Sequence, residues 1–439
     1  MKKLIYIAYT FPPVSTGSAP MNLRLADIFI RNGWLPSVVT PDHTASLPAD
    51  PSLIALLPKE MNVIRSGKSG RLRKRKKSVS TQTRSVKTER KGLRKLILEV
   101  ILQPDRYVTW VPRAIAAAMR EIDRIGADLV ITLGPPHSVH LAGLVCSGLT
   151  GKPWVAYFGD LWAMDGYINW HSVSWVRRRL TPIIEKAVVK RADGIITTTD
   201  GSSRYFEQKY GDRCPPVQTL WNGVTLEERK KQWNREGPRN PGDNLVITYT
   251  GFFMGNQTPE HFLRGMRMFL EKHPDSGLKF RIVGDFGAYT DLPEQLGLKD
   301  SVEVLGAVPF TEVRKWQLDS DVLLLILRPQ SGNELKNPSK TVEYLLARRP
   351  ILAVTPEGDL TALIERLGAG YTATHDAGSI CASLEEIHRD IRAGKFKVLK
   401  NPSDLDGDMD MDLGGRRMVE FLDRISNTIF PPPPSVPDS

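Results

Sequence analysis

Residues 127–162 read ADLVITLGPPHSVHLAGLVCSGLTGKPWVAYFGDLW. The apolar runs at 128–133 and 154–158 predict buried strands, and residues 138–149 between them predict a helix. A strand, a helix and a second strand in this order form a crossover unit with parallel strands, whose near-continuous apolar character indicates burial on both faces of the sheet. This stretch therefore predicts a parallel α/β fold.

The same alternation extends in both directions along the chain. Further strands are predicted at residues 3–9, 37–40, 62–65 and 194–199, with helices at 22–31, 112–124 and 174–191. A second series begins near residue 245, with strands at 245–250, 280–283, 302–305, 322–327 and 351–354 and helices at 311–318 and 341–347. Two such series predict two doubly wound parallel-sheet (Rossmann-like) α/β domains that face each other across a cleft.

A chain of 439 residues is long enough for two domains of ordinary size. We predict an N-terminal domain at 1–224, with a basic insertion at about 65–95, and a C-terminal domain at 244–400. The polar stretch 225–243 is the predicted linker. Residues 401–430 are predicted to form a helical segment that can return to the N-terminal domain. Residues 431–439, with the sequence PPPPSVPDS, are expected to be disordered.

Composition excludes several classes of protein. Three scattered cysteines argue against a disulfide framework and against a zinc site. No apolar run is long enough for a membrane-spanning helix. The apolar run at the start is too short for a signal peptide and lacks a cleavage site, so it predicts a first strand. These features favour a cytoplasmic protein.

The positive charge is concentrated in one segment. The net charge is +11, but residues 65–95 hold 14 Lys and Arg and one acidic residue, which leaves −2 for the rest of the chain. An apolar stripe at helical spacing follows: Leu93, Leu96, Ile97, Val100 and Ile101. A basic arm beside an amphipathic helix predicts docking on an anionic membrane surface through residues 65–101. The alternative is a disordered insertion whose stripe packs on the core, and the lack of aromatic residues in the arm disfavours nucleic-acid binding.

Candidate site residues of the first domain follow its strands, because open parallel sheets bind ligands at the carboxyl ends of their strands. Gly17 lies in the loop after the first strand, where backbone N–H groups can approach an anion. His137, His140 and Asp160 follow the strands at 128–133 and 154–158 and are the catalytic candidates. The structural alternatives are an ordinary glycine turn, structural histidines and a helix cap.

In the second domain, Gly251 and Gly284 follow the first two strands. The most specific stretch is NPSKTVEYLL at 337–346, where Ser339 and Lys340 stand at a helix start suited to a diphosphate. Glu343 lies one turn further on, within reach of ribose hydroxyls. The alternative is an exposed helix with a Lys and a Glu three residues apart.

Taken together, these stretches resemble the family 4 retaining glycosyltransferases, and the resemblance covers nearly the whole chain. It rests on YTFPP at 9–13 with Gly17, GPPHS at 134–138 with His140, PWVAYFGDLW at 153–162, WNGV at 221–224 and PSKTVEYLL at 338–346. The resemblance implies the GT-B architecture and transfer of a sugar, with retention, from a nucleotide diphosphate sugar to a lipid-linked or glycan acceptor. It points to enzymes of bacterial surface-polysaccharide biosynthesis, cytoplasmic or peripheral on the inner face of the membrane, that need no metal cofactor.

The resemblance also implies roles for individual residues. Gly17, Ser339 and Lys340 would lie at the donor phosphates, and Glu343 matches the second glutamate of the family's E-x7-E motif, which binds the ribose. Three departures stand out. Leu335 occupies the position of the first glutamate, and the Arg and Lys often found after the strand at 245–250 are missing from 251–259, so Arg328 or Lys340 would replace them. Asp160 would replace a histidine found in many relatives.

Two other functions fit the same residues. A sugar-nucleotide epimerase of similar fold would need no second substrate, and the membrane-suited segment weighs against it. A catalytically degenerate GT-B scaffold protein would agree with the missing glutamate and basic pair. Binding of a sugar nucleotide and its hydrolysis without acceptor would exclude the scaffold.

Overall fold

The computed structural model describes residues 1–15, 18–42, 49–68, 102–164, 174–233, 245–253, 257–395 and 397–429. Within these ranges the first sheet has seven parallel strands, in the order β3-β2-β1-β4-β5-β6-β7. Its strands are β1 (Lys2–Ala8), β2 (Trp34–Asp42), β3 (Asn62–Lys68), β4 (Leu129–Gly134), β5 (Trp154–Phe158), β6 (Gly194–Thr197) and β7 (Val217–Thr219).

The second sheet has six parallel strands among the described residues, in the order β10-β9-β8-β11-β12-β13. They are β8 (Val246–Thr250), β9 (Lys279–Val283), β10 (Val302–Gly306), β11 (Val322–Ile326), β12 (Ile351–Val354) and β13 (Gly370–Ala373). In each sheet the strand order reverses beside the first strand, between β1 and β4 and between β8 and β11, and this is where doubly wound sheets bind ligands. The predicted pair of doubly wound α/β domains is confirmed.

Helices cover both faces of both sheets. They are α1 (Ser18–Arg31), α2 (Val111–Ile125), α3 (Val139–Thr150), α4 (Trp175–Arg191), α5 (Asp200–Tyr210), α6 (Leu226–Trp233), α7 (Glu260–Lys272), α8 (Leu292–Gln295), α9 (Phe310–Leu318), α10 (Ser339–Ala347), α11 (Asp359–Leu367), α12 (Ala377–Arg392) and α13 (Met411–Ile429). None of these helices, within the described ranges, is long and apolar enough to cross a membrane.

The central strands are buried because both of their faces are covered. Along β1, Leu4 and Tyr6 belong to the apolar cluster on one side of the sheet, and Ile5 and Ile7 belong to the cluster on the other side. The side-chain period of two in a strand sends alternate residues to opposite faces. This is why the central strands appear in the sequence as continuous apolar runs.

The C-terminal helix α13 packs against the first domain, although the chain has passed through the second domain before it. Met418, Leu422 and Ile425 join the apolar cluster of β1. At the rim of this contact, the Lys2 ammonium lies 2.9 Å from the Asp423 carboxylate. The second domain is therefore inserted between two parts of the chain that share one core.

The structure contains elements that the sequence patterns did not predict. These are β7, β13, α5, α8, α11, α12 and, inside the polar stretch 225–243, helix α6. Arg229 of α6 is buried and forms an ion pair with Asp406, so a charged residue anchors this stretch to the segment that follows the second domain. The predicted helical pattern at 93–102, most of the basic insertion and Gly17 lie outside the described residues.

Candidate active site

A cavity of about 430 Å³ lies between the two domains, at the switch points of both sheets. Its first wall comes from the ends of β4 and β5 and from the start of α1, and its second wall from β8, β11 and the start of α10. The lining residues are Ser18, Met21, Asn22, Gly134, Pro135, Tyr157, Gly159, Asp160, Thr198, Asn222, Tyr249, Gln257, Leu325, Ile326, Leu327, Asn337, Pro338, Ser339 and Lys340. This position agrees with the expected cleft.

Hydrogen bonds hold the start of α1 against the loop after β1. The Asn22 side-chain amide donates to the Thr10 carbonyl at 2.7 Å, and the hydroxyls of Thr10 and Ser18 lie 2.7 Å apart. The Tyr6 hydroxyl in β1 donates to the Asn22 carbonyl, also at 2.7 Å. The neighbours of Gly17 are thus fixed at the cavity wall, while Gly17 itself is outside the described residues.

His137 and His140 lie beneath the floor of the cavity. His140 is fully buried, with its Nδ1 atom 2.9 Å from the Thr132 hydroxyl, and the His137 ring stacks on Trp162 with ring centres 5.1 Å apart. A Cβ atom added at Gly134 would lie 2.7 Å from His140 Nε2 and 3.0 Å from His137 Nδ1, so both rings press against this cavity-lining glycine. The structure therefore places the two predicted catalytic histidines behind the cavity wall.

Their charge state follows from this burial. Desolvation, together with the charges of Lys336 and Arg177, lowers the pKa of His137 to about 3, and burial lowers the pKa of His140 well below its ordinary value. Both imidazoles are therefore neutral near pH 7. A neutral, buried imidazole packs beneath the cavity floor and contributes polar atoms there. It does not supply a positive charge to a substrate.

Asp160 lies on the cavity wall and forms an ion pair with the other domain. Its carboxylate is 3.1 Å from the ammonium of Lys336, whose side chain is only 4% exposed against 19% for Asp160. Lys336 was not among the predicted site residues, although it directly precedes the stretch at 337–346. The pair links the wall carboxylate of the first domain to the segment that carries Ser339 and Lys340.

Further hydrogen bonds hold that segment against the first domain. The hydroxyls of Thr199 and Ser202 donate to the Leu335 carbonyl at 2.8 and 2.9 Å. The Asn222 side-chain amide donates to the Asn337 carbonyl at 2.7 Å, and the Asn337 amide donates back to the Asn222 carbonyl at 3.3 Å. These contacts close the cavity on one side and fix the start of α10.

The departure at Leu335 has a structural explanation. Its side chain contacts the backbone of Gly201, so close that a Cβ atom there would lie 2.7 Å from the leucine. A glutamate would bring a carboxylate into this packed contact between the domains, which costs free energy unless the charge is paired. The adjacent Glu334 accepts a hydrogen bond from the Gly332 N–H at 2.7 Å, and so it shapes its own loop.

Lys340 is a basic residue on the second wall of the cavity. Its ammonium lies 3.1 Å from the Tyr249 hydroxyl and 4.2 Å from the centre of the Tyr249 ring, and burial lowers its pKa. A Cβ atom at Gly251 would collide with this ammonium, and one at Gly284 would overlap the Gly251 carbonyl. Both glycines have positive φ, 127° and 147°. The two predicted glycine turns therefore leave the space in which Lys340 reaches the end of β8.

Glu343 and Arg328 lie next to the cavity and are not among its lining residues. The Glu343 carboxylate accepts a hydrogen bond from the Gln317 amide at 3.0 Å, and burial raises its pKa. Arg328 follows the lining residue Leu327 in the chain and is buried. Its backbone carbonyl accepts a hydrogen bond from the Asn333 side-chain amide at 3.0 Å. Of the predicted residues, the structure brings Asp160, Ser339 and Lys340 together on the cavity wall.

Part of the chain matches a known sequence family. Residues 17–228 match the sequence profile described as Glycosyltransferase Family 4. The match spans just under half of the chain. Over these residues it agrees with the predicted family and enzyme class.

A curated relative is the D-inositol 3-phosphate glycosyltransferase of Nocardiopsis dassonvillei, which is 23% identical over 218 residues. The match covers 47% of this chain and 49% of the relative, so the chain spans about half the length of the curated relative it matches.

Solved structures match over nearly the whole chain and share its fold. Sucrose-phosphate synthase from Thermosynechococcus elongatus has a TM-score of 0.67 at 14% identity, over 98% of this chain and 100% of its own. Anabaena HepE in complex with UDP and glucose has a TM-score of 0.61 at 16% identity, over 97% and 100%. These likenesses confirm the predicted GT-B architecture.

Several residues of the cavity walls were not predicted from the sequence. Tyr249 is part of strand β8, and Gln257 donates to its hydroxyl at 3.2 Å and to the Ile326 carbonyl at 3.1 Å. Asn222 lies in the WNGV stretch, which supported the resemblance without a role for the asparagine. The sequence feature that could have identified both residues is their position. Tyr249 lies in a strand of the second domain, and Asn222 lies just after a strand of the first.

Proposed function

We propose that this protein transfers a sugar from a nucleotide diphosphate sugar to a lipid-linked or glycan acceptor. The observation that carries the proposal is the Lys340 ammonium, which α10 holds at the carboxyl end of β8 beside the cavity between the domains. A cation at the facing switch points of two doubly wound sheets is suited to a phosphorylated ligand. Anabaena HepE, solved with UDP and glucose, shares this fold.

The donor diphosphate would lie at the start of α10. The first turn of this helix contains no acidic residue, and its first two residues, Ser339 and Lys340, line the cavity. The positive end of the helix dipole favours an anion there, and the Lys340 ammonium adds a charge-assisted hydrogen bond. Lys340 would thereby replace the basic pair that is missing from residues 251–259.

The nucleoside would lie further along α10, where Glu343 would accept hydrogen bonds from the ribose hydroxyls. Burial already raises the pKa of this carboxyl, and Gln317 donates to it. Gly251 and Gly284 would let the donor approach the backbone at the ends of β8 and β9. Arg328 supports the loop between β11 and α10, and its guanidinium would strengthen the positive field at this end of the sheet.

Transfer would take place at the first wall. Asp160 would orient the acceptor or accept its proton, with Lys336 holding the carboxylate in place. Lys340 and the start of α10 would stabilise the charge that develops on the leaving diphosphate. His137 and His140 would hold the cavity floor in shape from behind, without contacting the substrate. Retention of the anomeric configuration, through attack on the face that the diphosphate leaves, rests on the family resemblance.

We place the enzyme in the biosynthesis of bacterial surface polysaccharides, at the cytoplasmic face of the membrane. This setting rests on the family resemblance and on the basic insertion, and the proposal includes an anionic membrane surface as a partner through residues 65–101. A bound metal cofactor is not part of the proposed reaction, because the family resemblance implies none. Nucleic acid is not an expected partner, since the basic insertion contains no aromatic residue.

A thermal-shift screen against sugar nucleotides and free nucleotides tests the proposal. Ligands that bind the native state raise its unfolding midpoint by mass action. We expect a shift with one nucleoside diphosphate and a larger shift with one of its sugars, followed by slow donor hydrolysis without acceptor. Absence of a shift with the whole panel at millimolar concentration would contradict the proposal and favour a scaffold protein. Interconversion of two sugar nucleotides without any acceptor would identify an epimerase instead.

A further inference from the structure

Helix α4 presents an outer face that combines exposed apolar and basic side chains. Trp175 at its start is 66% exposed, and Ile183, two turns later, is 62% exposed. The other exposed positions repeat every three to four residues, so they lie on the same face of the helix. Its exposed basic residues are Arg178, Arg179, Lys186, Lys190 and Arg191.

No acidic side chain compensates this charge within the helix. The one carboxylate in the sequence of α4, Glu185, is fully buried on the inner face, where it accepts hydrogen bonds from Lys209 at 2.5 Å and Tyr210 at 2.7 Å. The neighbouring helix α3 contains no Asp, Glu, Lys or Arg, and it exposes Val145 and Leu149, the latter to 69%. The outer face of α4 is thus a basic surface that contains two large apolar side chains and adjoins a further apolar edge.

We propose that the outer face of α4, together with the exposed edge of α3, docks on an anionic lipid bilayer. Tryptophan is favoured at the boundary between headgroups and acyl chains, and basic side chains around it are attracted to anionic headgroups. The apolar residues Ile183 and Leu149 gain free energy from burial in lipid, whereas a nucleic acid would stack a base on Trp175 and leave these aliphatic side chains exposed. The occupant that fits both features is therefore a membrane.

This face is continuous with the acceptor side of the cavity. Helix α4 follows β5, so its first residue, Trp175, lies toward the carboxyl edge of the sheet where Asp160 is located. Arg177, in the first turn, faces inward and contributes to the low pKa of His137. A bilayer at the outer face of α4 would meet the open rim of the first wall, where a lipid-linked acceptor enters. The link to an acceptor rests on the proposed function, while docking itself does not.

The test is co-sedimentation of the full chain with vesicles of phosphatidylcholine and phosphatidylglycerol. We expect R178Q/R179Q to lower the vesicle partition coefficient roughly 25-fold, the effect of removing two basic side chains from an anionic surface. W175S/I183S should lower it by about tenfold or more. The controls on α7, R264Q/R267Q and M268S, remove basic and apolar side chains from the second domain, where Arg264 and Arg267 are paired with Glu260 and Glu271. They should leave the partition coefficient within about twofold.

The outcomes separate docking from catalysis. Loss of vesicle binding in the α4 variants alone, with an unchanged nucleotide thermal shift, supports docking through α4. Unchanged vesicle binding in the α4 variants, or equal loss in the α7 controls, overturns it. If R178Q/R179Q instead weakens binding of a single-stranded RNA and leaves vesicle binding unchanged, the surface is a nucleic-acid site and the proposal is wrong. Absence of any nucleotide response contradicts the proposed function and leaves the vesicle result standing.

Discussion

The ion pair between Asp160 and Lys336 joins the two domains, and we predict that breaking it destabilises the protein strongly. Lys336→Met removes an ammonium 3.1 Å from a carboxylate that is 19% exposed, so the remaining charge regains only part of its hydration. Breaking a buried pair costs about 3–5 kcal/mol. We expect about 3 kcal/mol for Lys336→Met and about 4–5 kcal/mol for Asp160→Asn, because the ammonium left behind in the second variant is only 4% exposed.

A double-mutant cycle isolates the contribution of the pair. Urea unfolding of the wild type, both single variants and the double variant should give a coupling free energy of about 2 kcal/mol, since residues in direct contact couple by about 0.5–3 kcal/mol. Tryptophan fluorescence and far-UV circular dichroism should give the same transition, which checks that the domains unfold together.

The matched control is the exposed pair of Lys299 and Glu294. Its separation is 3.0 Å, nearly the same, but its side chains are 71% and 69% exposed. An exposed pair contributes about 0–1 kcal/mol. If the coupling between Asp160 and Lys336 is no larger than that of the control pair, burial does not strengthen this contact, and the reasoning about the link between the domains is refuted.

Three further predictions concern pH, the nucleoside and metal ions. The pKa of His137 is about 3 in the folded chain against about 6.5 unfolded, so stability is full above pH 6.5 and falls as the pH drops towards 3. His137→Phe should reduce this slope by about 1.4 kcal/mol per pH unit in urea unfolding, and an unchanged slope would show that folding does not lower the pKa of His137. Glu343→Ala should weaken nucleoside diphosphate binding about tenfold in calorimetry, whereas the exposed Glu312→Ala on α9 should not. Sugar transfer should persist in excess EDTA, and a loss that Mg²⁺ restores would contradict transfer without a metal.

Most of the fold follows from the sequence because the strands of a doubly wound sheet are continuous apolar runs. The prediction missed strands that lack this property. β7 (Val217–Thr219) has three residues, all partly exposed, and β13 (Gly370–Ala373) begins with a glycine. Helices α11 and α12 carry apolar residues at helical spacing, so the sequence pattern could have predicted them.

The site was predictable where it depends on one strand and the loop that follows it. Asp160 and Lys340 reach the cavity because they follow a strand end or begin a helix at the switch point. Contacts between domains were not predictable, because the pairing of Lys336 with Asp160 depends on how two separately folded units meet. The burial of His137 depends on Gly134, whose missing side chain lets the ring pack beneath the cavity floor. Sequence spacing gives the position of a histidine on the chain and not the direction of its ring.

The central claim is that a nucleoside diphosphate binds at the start of α10 through Lys340. The most direct test is isothermal titration of the nucleoside diphosphate found in the screen against the wild type, Lys340→Met and the control Lys299→Met, with thermal unfolding confirming that each variant is folded. We predict that Lys340→Met raises the Kd roughly tenfold to hundredfold, the cost of losing a hydrogen bond to a charged group, and that Lys299→Met leaves it unchanged. Equal affinity in all three proteins would contradict the account and remove Lys340 from the donor site.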